Sequence, residues 1–165
     1  MSERSQAGEA DQEVRISHLF EVPRQAVFEA WTDPDQIARW WGPHGFDAPR
    51  EKIEVELRIG GPFEIVMVVA SAEIAAGMGV EVGAEFPDRS RIVELVEPEL
   101  LVLAAPPQPE LGLSVETKTR IEFAEEGNGT RVTLIGGPYT AAMAPNAEAG
   151  WTGSLEKLAK LLDRG

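Results

Sequence analysis

The sequence predicts an α+β fold, in which one long helix covers one face of an antiparallel sheet. Between residues 50 and 136, apolar and polar residues alternate in several segments separated by short turns, which indicates consecutive strands. From Ala147 onward, apolar residues recur every three or four positions instead, which indicates one amphipathic helix. Consecutive strands joined by short turns form an antiparallel sheet, and the apolar stripe of this helix must cover one of its faces.

The first predicted elements are a strand and two short helices. Residues 14–20 alternate between apolar and polar types and predict the strand, which Pro23 ends. A short helix carrying Trp31 follows. The run Asp33-Pro34-Asp35-Gln36 then supplies a capping aspartate and a first-turn proline, so a second short helix is expected to end near Trp40.

The length of 165 residues suits one domain, and no internal repeat or interdomain linker interrupts it. Residues 1–12 contain almost nothing that could be buried, and they predict a disordered tail. We therefore expect a single domain over residues 13–163.

The middle of the chain predicts six strands and one ambiguous segment. Residues 53–59 alternate as a strand with one solvent-facing side, and a Gly-Gly-Pro turn leads into a second strand at 63–69. Residues 71–84 are rich in Gly and Ala, and they read as a loop with a short edge segment. The four further strands lie at about 88–96, 100–105, 113–124 and 130–136, the last two joined by a Gly-Asn-Gly hairpin signal.

The C-terminal helix is expected to start between Thr140 and Pro145. Its apolar stripe consists of Ala147, Trp151, Leu155, Leu158 and Leu162. We expect Trp151 to be a central core residue that packs on the sheet.

Charge and composition exclude several classes of function. Fifteen basic and twenty-eight acidic residues give a net charge of −13, which repels phosphate backbones and anionic lipid headgroups. We therefore expect no nucleic acid and no membrane as partner. The chain has no cysteine, so disulfides, thiolate metal sites and cysteine nucleophiles are excluded. The N-terminus lacks the layout of a secretion signal, and we expect a cytoplasmic protein.

Four sequence blocks carry a family resemblance: AWTDP at 30–34, RWWGPHGF at 39–46, RIGG at 58–61 and GWTGSL at 150–155. Together they resemble the bacterial proteins similar to the C-terminal domain of the activator of heat-shock protein 90 ATPase, within the START-like, or polyketide cyclase/dehydrase and lipid transport, superfamily. The resemblance covers residues 13–163. It implies a helix-grip fold, in which a curved antiparallel sheet of six to seven strands wraps around the long C-terminal helix with a cavity between them.

No residue pattern indicates a catalytic or metal centre. The chain has two histidines, His18 and His44, and they form no metal-ligand pair; no serine lies in a nucleophile elbow, and no phosphate-binding loop is present. We expect no metal and no cofactor. Glu81, Glu85 and Asp88 could rim a pocket, but solvation is the more economical interpretation of such carboxylates.

Large aromatic and methionine side chains on the predicted inward faces are the more informative set. Singly they suit a core, but together they favour a pocket, because one helix rarely fills a strongly curved sheet. The residues predicted to bind a ligand are Trp41, His44, Phe63, Met67, Phe86, Tyr139, Met143 and Trp151. Among these, Tyr139 and His44 carry the polar groups expected to orient it.

The favoured function is binding of a small hydrophobic or aromatic molecule in this cavity. One alternative is an enzyme of cyclase or hydrolase type that uses a pocket His, Tyr or Glu. Another is a protein-interaction module, either chaperone-activator-like or part of a stress response. The sequence also leaves open a homodimer.

Overall fold

The computed structural model describes residues 10–109 and 115–163, which form an antiparallel sheet that curls around one long helix. Its strands are β1 (Ala10–Phe20), β2 (Phe46–Asp47), β3 (Ile53–Val55), β4 (Pro62–Val69), β5 (Glu85–Val96), β6 (Leu100–Ala105), β7 (Thr117–Glu126) and β8 (Gly129–Thr140). Its helices are α1 (Arg24–Thr32), α2 (Pro34–Trp40), α3 (Ala72–Met78) and α4 (Ala144–Asp163), and a short 3₁₀ helix spans Arg50–Lys52.

The strand order is β1-β8-β7-β6-β5-β4-β2, with β3 also pairing with β4. Strands β4 to β8 follow one another as neighbours, whereas β1 pairs antiparallel with β8. Helix α4 contacts β1 and α2, so it lies within the concave side of the sheet together with the two short helices. The helix-grip fold expected from the family resemblance is confirmed.

The core fills one end of this concave space. Trp31 of α1 is at its centre: its ring stacks on Trp151 at 5.8 Å between centroids, and it meets Trp40 and Phe123 edge-on at 4.8 and 6.2 Å. From α4, Leu155 and Leu158 are buried beside this group, as the predicted stripe requires.

The strand predicted over residues 53–59 is shorter than expected. Pairing with β4 ends at Val55, and the chain then turns, with the Arg58 N–H donating to the Glu56 carbonyl at 2.8 Å. As a result Leu57 and Ile59 are 40% and 65% exposed, so the apolar alternation that predicted a strand here continues into a turn.

The ambiguous Gly/Ala-rich segment contains helix α3, where a loop with an edge segment was expected. The Ser71 hydroxyl accepts a hydrogen bond from the Ile74 N–H at 3.3 Å and caps the helix. Gly79 ends it in the left-handed conformation, at φ 74°. Both end signals are present in the sequence, but the short apolar face between them gives little periodicity.

Several boundaries also differ from the prediction. Strand β1 starts at Ala10, so residues 10–12 pair with β8 instead of belonging to a tail, and the rest of the predicted tail lies outside the described residues. Strand β5 starts at Glu85 instead of residue 88, β7 starts at Thr117 instead of 113, and β8 extends to Thr140. Helix α4 starts at Ala144, within the expected range.

Candidate functional site

A cavity of about 420 Å³ lies between the concave face of the sheet and the N-terminal half of α4. Its walls come from β4 to β8, from α4 and from the segment that follows α2. Because the core occupies the other end of the same concave space, the cavity begins where the filled core stops.

Six of the eight residues predicted to bind a ligand lie in the cavity wall: Trp41, Met67, Phe86, Tyr139, Met143 and Trp151. They come from β4, β5, β8, the turn before α4, α4 itself and the segment after α2, so the fold brings together residues far apart in the sequence. Their role in ligand binding stays a prediction.

The other two predicted residues do not line the cavity. Phe63 is fully buried behind Trp41, with 5.6 Å between the ring centroids, and it belongs to the core. His44 lies outside the cavity and is exposed, with its Nε2 atom 3.2 Å from the Glu156 carboxylate. The loop that carries His44 packs closely against α4: a Cβ atom at Gly153 would lie 3.5 Å from both His44 and Pro43.

Trp151 lies at the boundary between core and cavity. One side of its ring stacks on the buried Trp31, and Trp41 meets it edge-on at 5.3 Å between centroids. Its side chain is partly buried and lines the cavity, so it is less central to the core than predicted. Trp41 and Trp151 together form an aromatic wall at this boundary.

The loop after α2 approaches Met67 at Gly42. This glycine has φ 94°, a conformation that other residues rarely adopt, and a Cβ atom here would lie 3.2 Å from the Met67 sulfur. Glycine therefore lets the backbone close one side of the cavity, next to the methionine that lines it.

Asp88 lines the cavity, although solvation was the favoured interpretation of its carboxylate. Strand register explains its position, because Asp88 and Ser90 are paired with the buried Ile65 and Phe63 of β4 and so share their face of the sheet. The alternation of Phe86, Asp88, Ser90 and Ile92 already contained this signal. Glu81 and Glu85 are exposed, as expected for them.

The Asp88 carboxylate has a polar partner but an apolar setting. The Ser90 hydroxyl donates a hydrogen bond to its Oδ1 atom at 2.6 Å. Burial raises the pKa of Asp88 above its usual value, the Ser90 hydrogen bonds oppose this, and the nearby Glu64 charge adds to it. Asp88 is thus a carboxyl group whose ionised form is disfavoured.

Tyr139 reaches the cavity because β8 is irregular near its end. Val14 pairs with Gly136 and Gln12 with Tyr139, so three steps along β8 match two along β1. Strict alternation from the buried Leu134 would have turned Tyr139 to the opposite face. A Cβ atom at Gly136 would lie 3.6 Å from the Tyr139 hydroxyl oxygen and 3.7 Å from that of Thr119, which places both hydroxyls over this glycine.

Burial raises the pKa of the Tyr139 phenol, and the charge of Asp88 raises it further, while the Trp151 side chain opposes the shift. The phenol therefore stays protonated and can donate a hydrogen bond into the cavity. The other hydroxyl groups of the wall belong to Ser90, Thr117, Thr119 and Ser154.

A shallow groove outside the cavity runs between α4 and the β2 region. The Lys157 ammonium donates to the Phe46 carbonyl at 3.2 Å across it, which ties β2 to α4. Burial lowers the pKa of Lys157, and the charge of Asp47 opposes that shift.

Within residues 10–109 and 115–163, no three His, Asp or Glu side chains are grouped so that they could hold a metal ion. No helix in this part of the chain is long and apolar enough to cross a membrane.

The curled sheet, the enclosed C-terminal helix and the cavity between them define a START-like protein of the helix-grip class. Residues 21–163 match the model of the family described as Activator of Hsp90 ATPase homolog 1-like protein, and the chain belongs to this family. No curated protein matches the sequence.

Three solved structures illustrate the similarity. A protein from Chromobacterium violaceum is 25% identical, with a TM-score of 0.75 over 91% of this chain and 96% of its own. An AHSA1-like protein from Aeromonas hydrophila is 23% identical, with a TM-score of 0.73 over 93% of each chain. The AHSA1 protein from Silicibacter pomeroyi is 22% identical, with a TM-score of 0.70 over 92% of this chain and 98% of its own. These similarities support the fold.

Proposed function

We propose that this protein binds a small apolar or aromatic molecule in the cavity between the sheet and α4. The observation that carries the proposal is the cavity itself: about 420 Å³, with a wall that includes eight aromatic or methionine side chains. This volume falls within the roughly 300–1,000 Å³ that is usual for small-molecule sites, and such sites are mainly apolar with a few polar groups.

The composition of the wall favours binding over the enzyme alternative. That alternative calls for a pocket His, Tyr or Glu, and the described part of the wall supplies Tyr139 together with Asp88 but neither histidine. His44 is exposed outside it, and His18 lies on β1 with its ring 4.5 Å from that of Phe20. The interaction-module alternative would be favoured if the protein bound no small apolar molecule.

The test is titration of the protein with prodan, a neutral naphthalene probe, monitored by quenching of tryptophan emission. Trp41 and Trp151 line the cavity, so a bound probe should quench them with saturable dependence on its concentration. Native mass spectrometry of freshly purified protein provides a second measurement, in which a co-purified small molecule appears as an added mass.

Met67→Trp is the variant that fills the cavity without adding a charge. It should weaken prodan binding by at least about tenfold, or about 1.4 kcal/mol, while the protein remains folded. The matched control is Val66→Trp, which adds the same indole on the opposite face of β4, where Val66 borders a shallow surface depression. If wild-type protein does not bind prodan and Met67→Trp unfolds it, the space is tightly filled core and the interaction-module alternative replaces the proposal.

A further inference from the structure

The cavity wall contains an acidic side chain but no basic one among the described residues. In the part of the chain that the structure describes, Asp88 is the one Asp or Glu in the wall, and no Lys, Arg or His lies there. A carboxylate ligand would therefore meet no cation in these walls, and it would be repelled by Asp88 and by the net charge of −13.

Asp88 is held in a defined position. It projects from the first half of β5 on the face that carries Ile65 of β4, and the Ser90 hydroxyl donates a hydrogen bond to its Oδ1 atom at 2.6 Å. Tyr139 lines the same cavity, so its wall contains both a carboxyl group and a phenol. A ligand group that contacts the Asp88 carboxylate should donate hydrogen bonds to it. The ligand can also accept a hydrogen bond from the Tyr139 phenol or contact its ring.

The energetics favour a cation at this place. Burial disfavours the ionised form of Asp88, with no basic group in the described wall to compensate, and a ligand ammonium would supply the missing countercharge. The rings of Trp41, Phe86 and Trp151 in the same cavity wall are suitable both for an apolar body and for contact with a cation through their faces.

We propose that the cavity selects ligands that carry a protonated amine on an apolar or aromatic body, with Asp88 pairing with the ammonium group. This inference rests on the proposed function, because it specifies the ligand class of the same cavity. A protein with this selectivity differs from a carrier of fatty acids or aromatic carboxylates, whose ligands are anionic.

The test compares three probes with the same ring system and different charge: naphthylmethylamine, naphthylmethanol and naphthoate. Isothermal titration calorimetry at neutral pH and constant ionic strength gives their affinities for the wild-type protein. We expect the amine to bind about tenfold more tightly than the alcohol, as a charge-assisted hydrogen bond provides, and naphthoate to bind more weakly than either.

Asp88→Asn removes the charge and keeps the shape, so the amine should lose its advantage while the affinity for the alcohol stays within about threefold. Asp47→Asn is the matched control: it makes the same chemical change at an exposed residue of β2 that does not line the cavity, and the order of affinities should persist.

The outcomes separate the two proposals. If the alcohol binds but naphthoate binds as tightly as the amine, the amine selectivity is overturned and the cavity remains a binding site. If none of the three probes binds, both proposals fail. The comparison of the three probes on wild-type protein decides the selectivity by itself, even if the Asp88→Asn protein folds poorly.

Discussion

The inward side chains of β7 differ between its two ends, and β8 and α4 show a related difference. Thr117 and Thr119 border the cavity, whereas Ile121 and Phe123, further along the same face, are buried in the core. On the neighbouring β8, the buried Leu134 is followed on this face by Gly136. The backbone is continuous, so the size of the side chains decides where the interior is filled.

The helix shows the same change. Leu155 and Leu158 of α4 fill the core end, whereas Gly150 and Ala147 face the cavity about one and two turns before Leu155. Native cores are close-packed, and a hollow left by truncating a large core residue costs several kcal/mol. Here β7 and the first turns of α4 instead present small or polar side chains to the hollow, beside the aromatic rings and methionines of the rest of its wall. An apolar wall with a few polar groups is typical of a binding site.

The largest expected effect distinguishes the two ends by stability. Phe123→Ala should destabilise the protein by about 3–5 kcal/mol, because it removes a ring that packs against Phe28 and Trp31 in the core. Thr119→Ala, four residues earlier on the same face, should cost less than about 1 kcal/mol. Urea unfolding measures both. Equal losses would contradict the division into a filled and a hollow end.

Trp151→Ala tests the boundary between the ends. It should cost about 3 kcal/mol, the lower part of the range for a truncated tryptophan, since the ring stacks on Trp31 but is only partly buried. It should also weaken prodan binding, since it removes part of the aromatic wall. Measurement of the denaturant midpoint together with probe affinity checks this, and a midpoint equal to that of the wild type would refute the packing of α4 on the core.

The sequence was sufficient to predict the filled end. Ile121 with Phe123 and Leu155 with Leu158 follow strand and helix periods, and burial of large apolar residues is expressed in local spacing. The α+β class follows from the same patterns, since consecutive strands and one amphipathic helix have few ways to pack.

The cavity end depends on strand pairing and backbone irregularities, which no local sequence pattern predicts. The inward direction of Asp88 is set by its pairing with Ile65, and that of Tyr139 by an irregularity in β8. His44 was predicted to orient the ligand through its polar ring, but the turn at Gly42 and Pro43 places it outside the cavity, beside Glu156 of α4. Solvation was the favoured interpretation for Glu81, Glu85 and Asp88 alike, because the sequence does not reveal which of these acids faces inward.

The pH dependence of stability should distinguish Asp88 from the acids on the surface. Its folded-state pKa is raised above the ordinary aspartate value of 3.8, so its contribution to stability is present below that value and is lost as the pH rises through the folded pKa. Asp88→Asn removes this loss. The variant should therefore gain stability relative to wild type as the pH rises through this window, by at most about 1.4 kcal/mol per pH unit. Urea midpoints of both proteins across the acid range measure it, and a constant difference would contradict the burial of Asp88.

The smallest expected effect concerns His44, the predicted site residue that lies outside the cavity. Its contact with Glu156 joins two exposed side chains, 59% and 57% accessible, and pairs of this kind contribute between about 0 and 1 kcal/mol. His44→Ala should therefore change the unfolding free energy by less than about 1 kcal/mol, as measured by urea unfolding. Prodan affinity should stay the same, because the ring does not line the cavity. A clear loss of prodan affinity in a folded His44→Ala protein would mean that His44 takes part in binding and that the cavity extends beyond the walls described above.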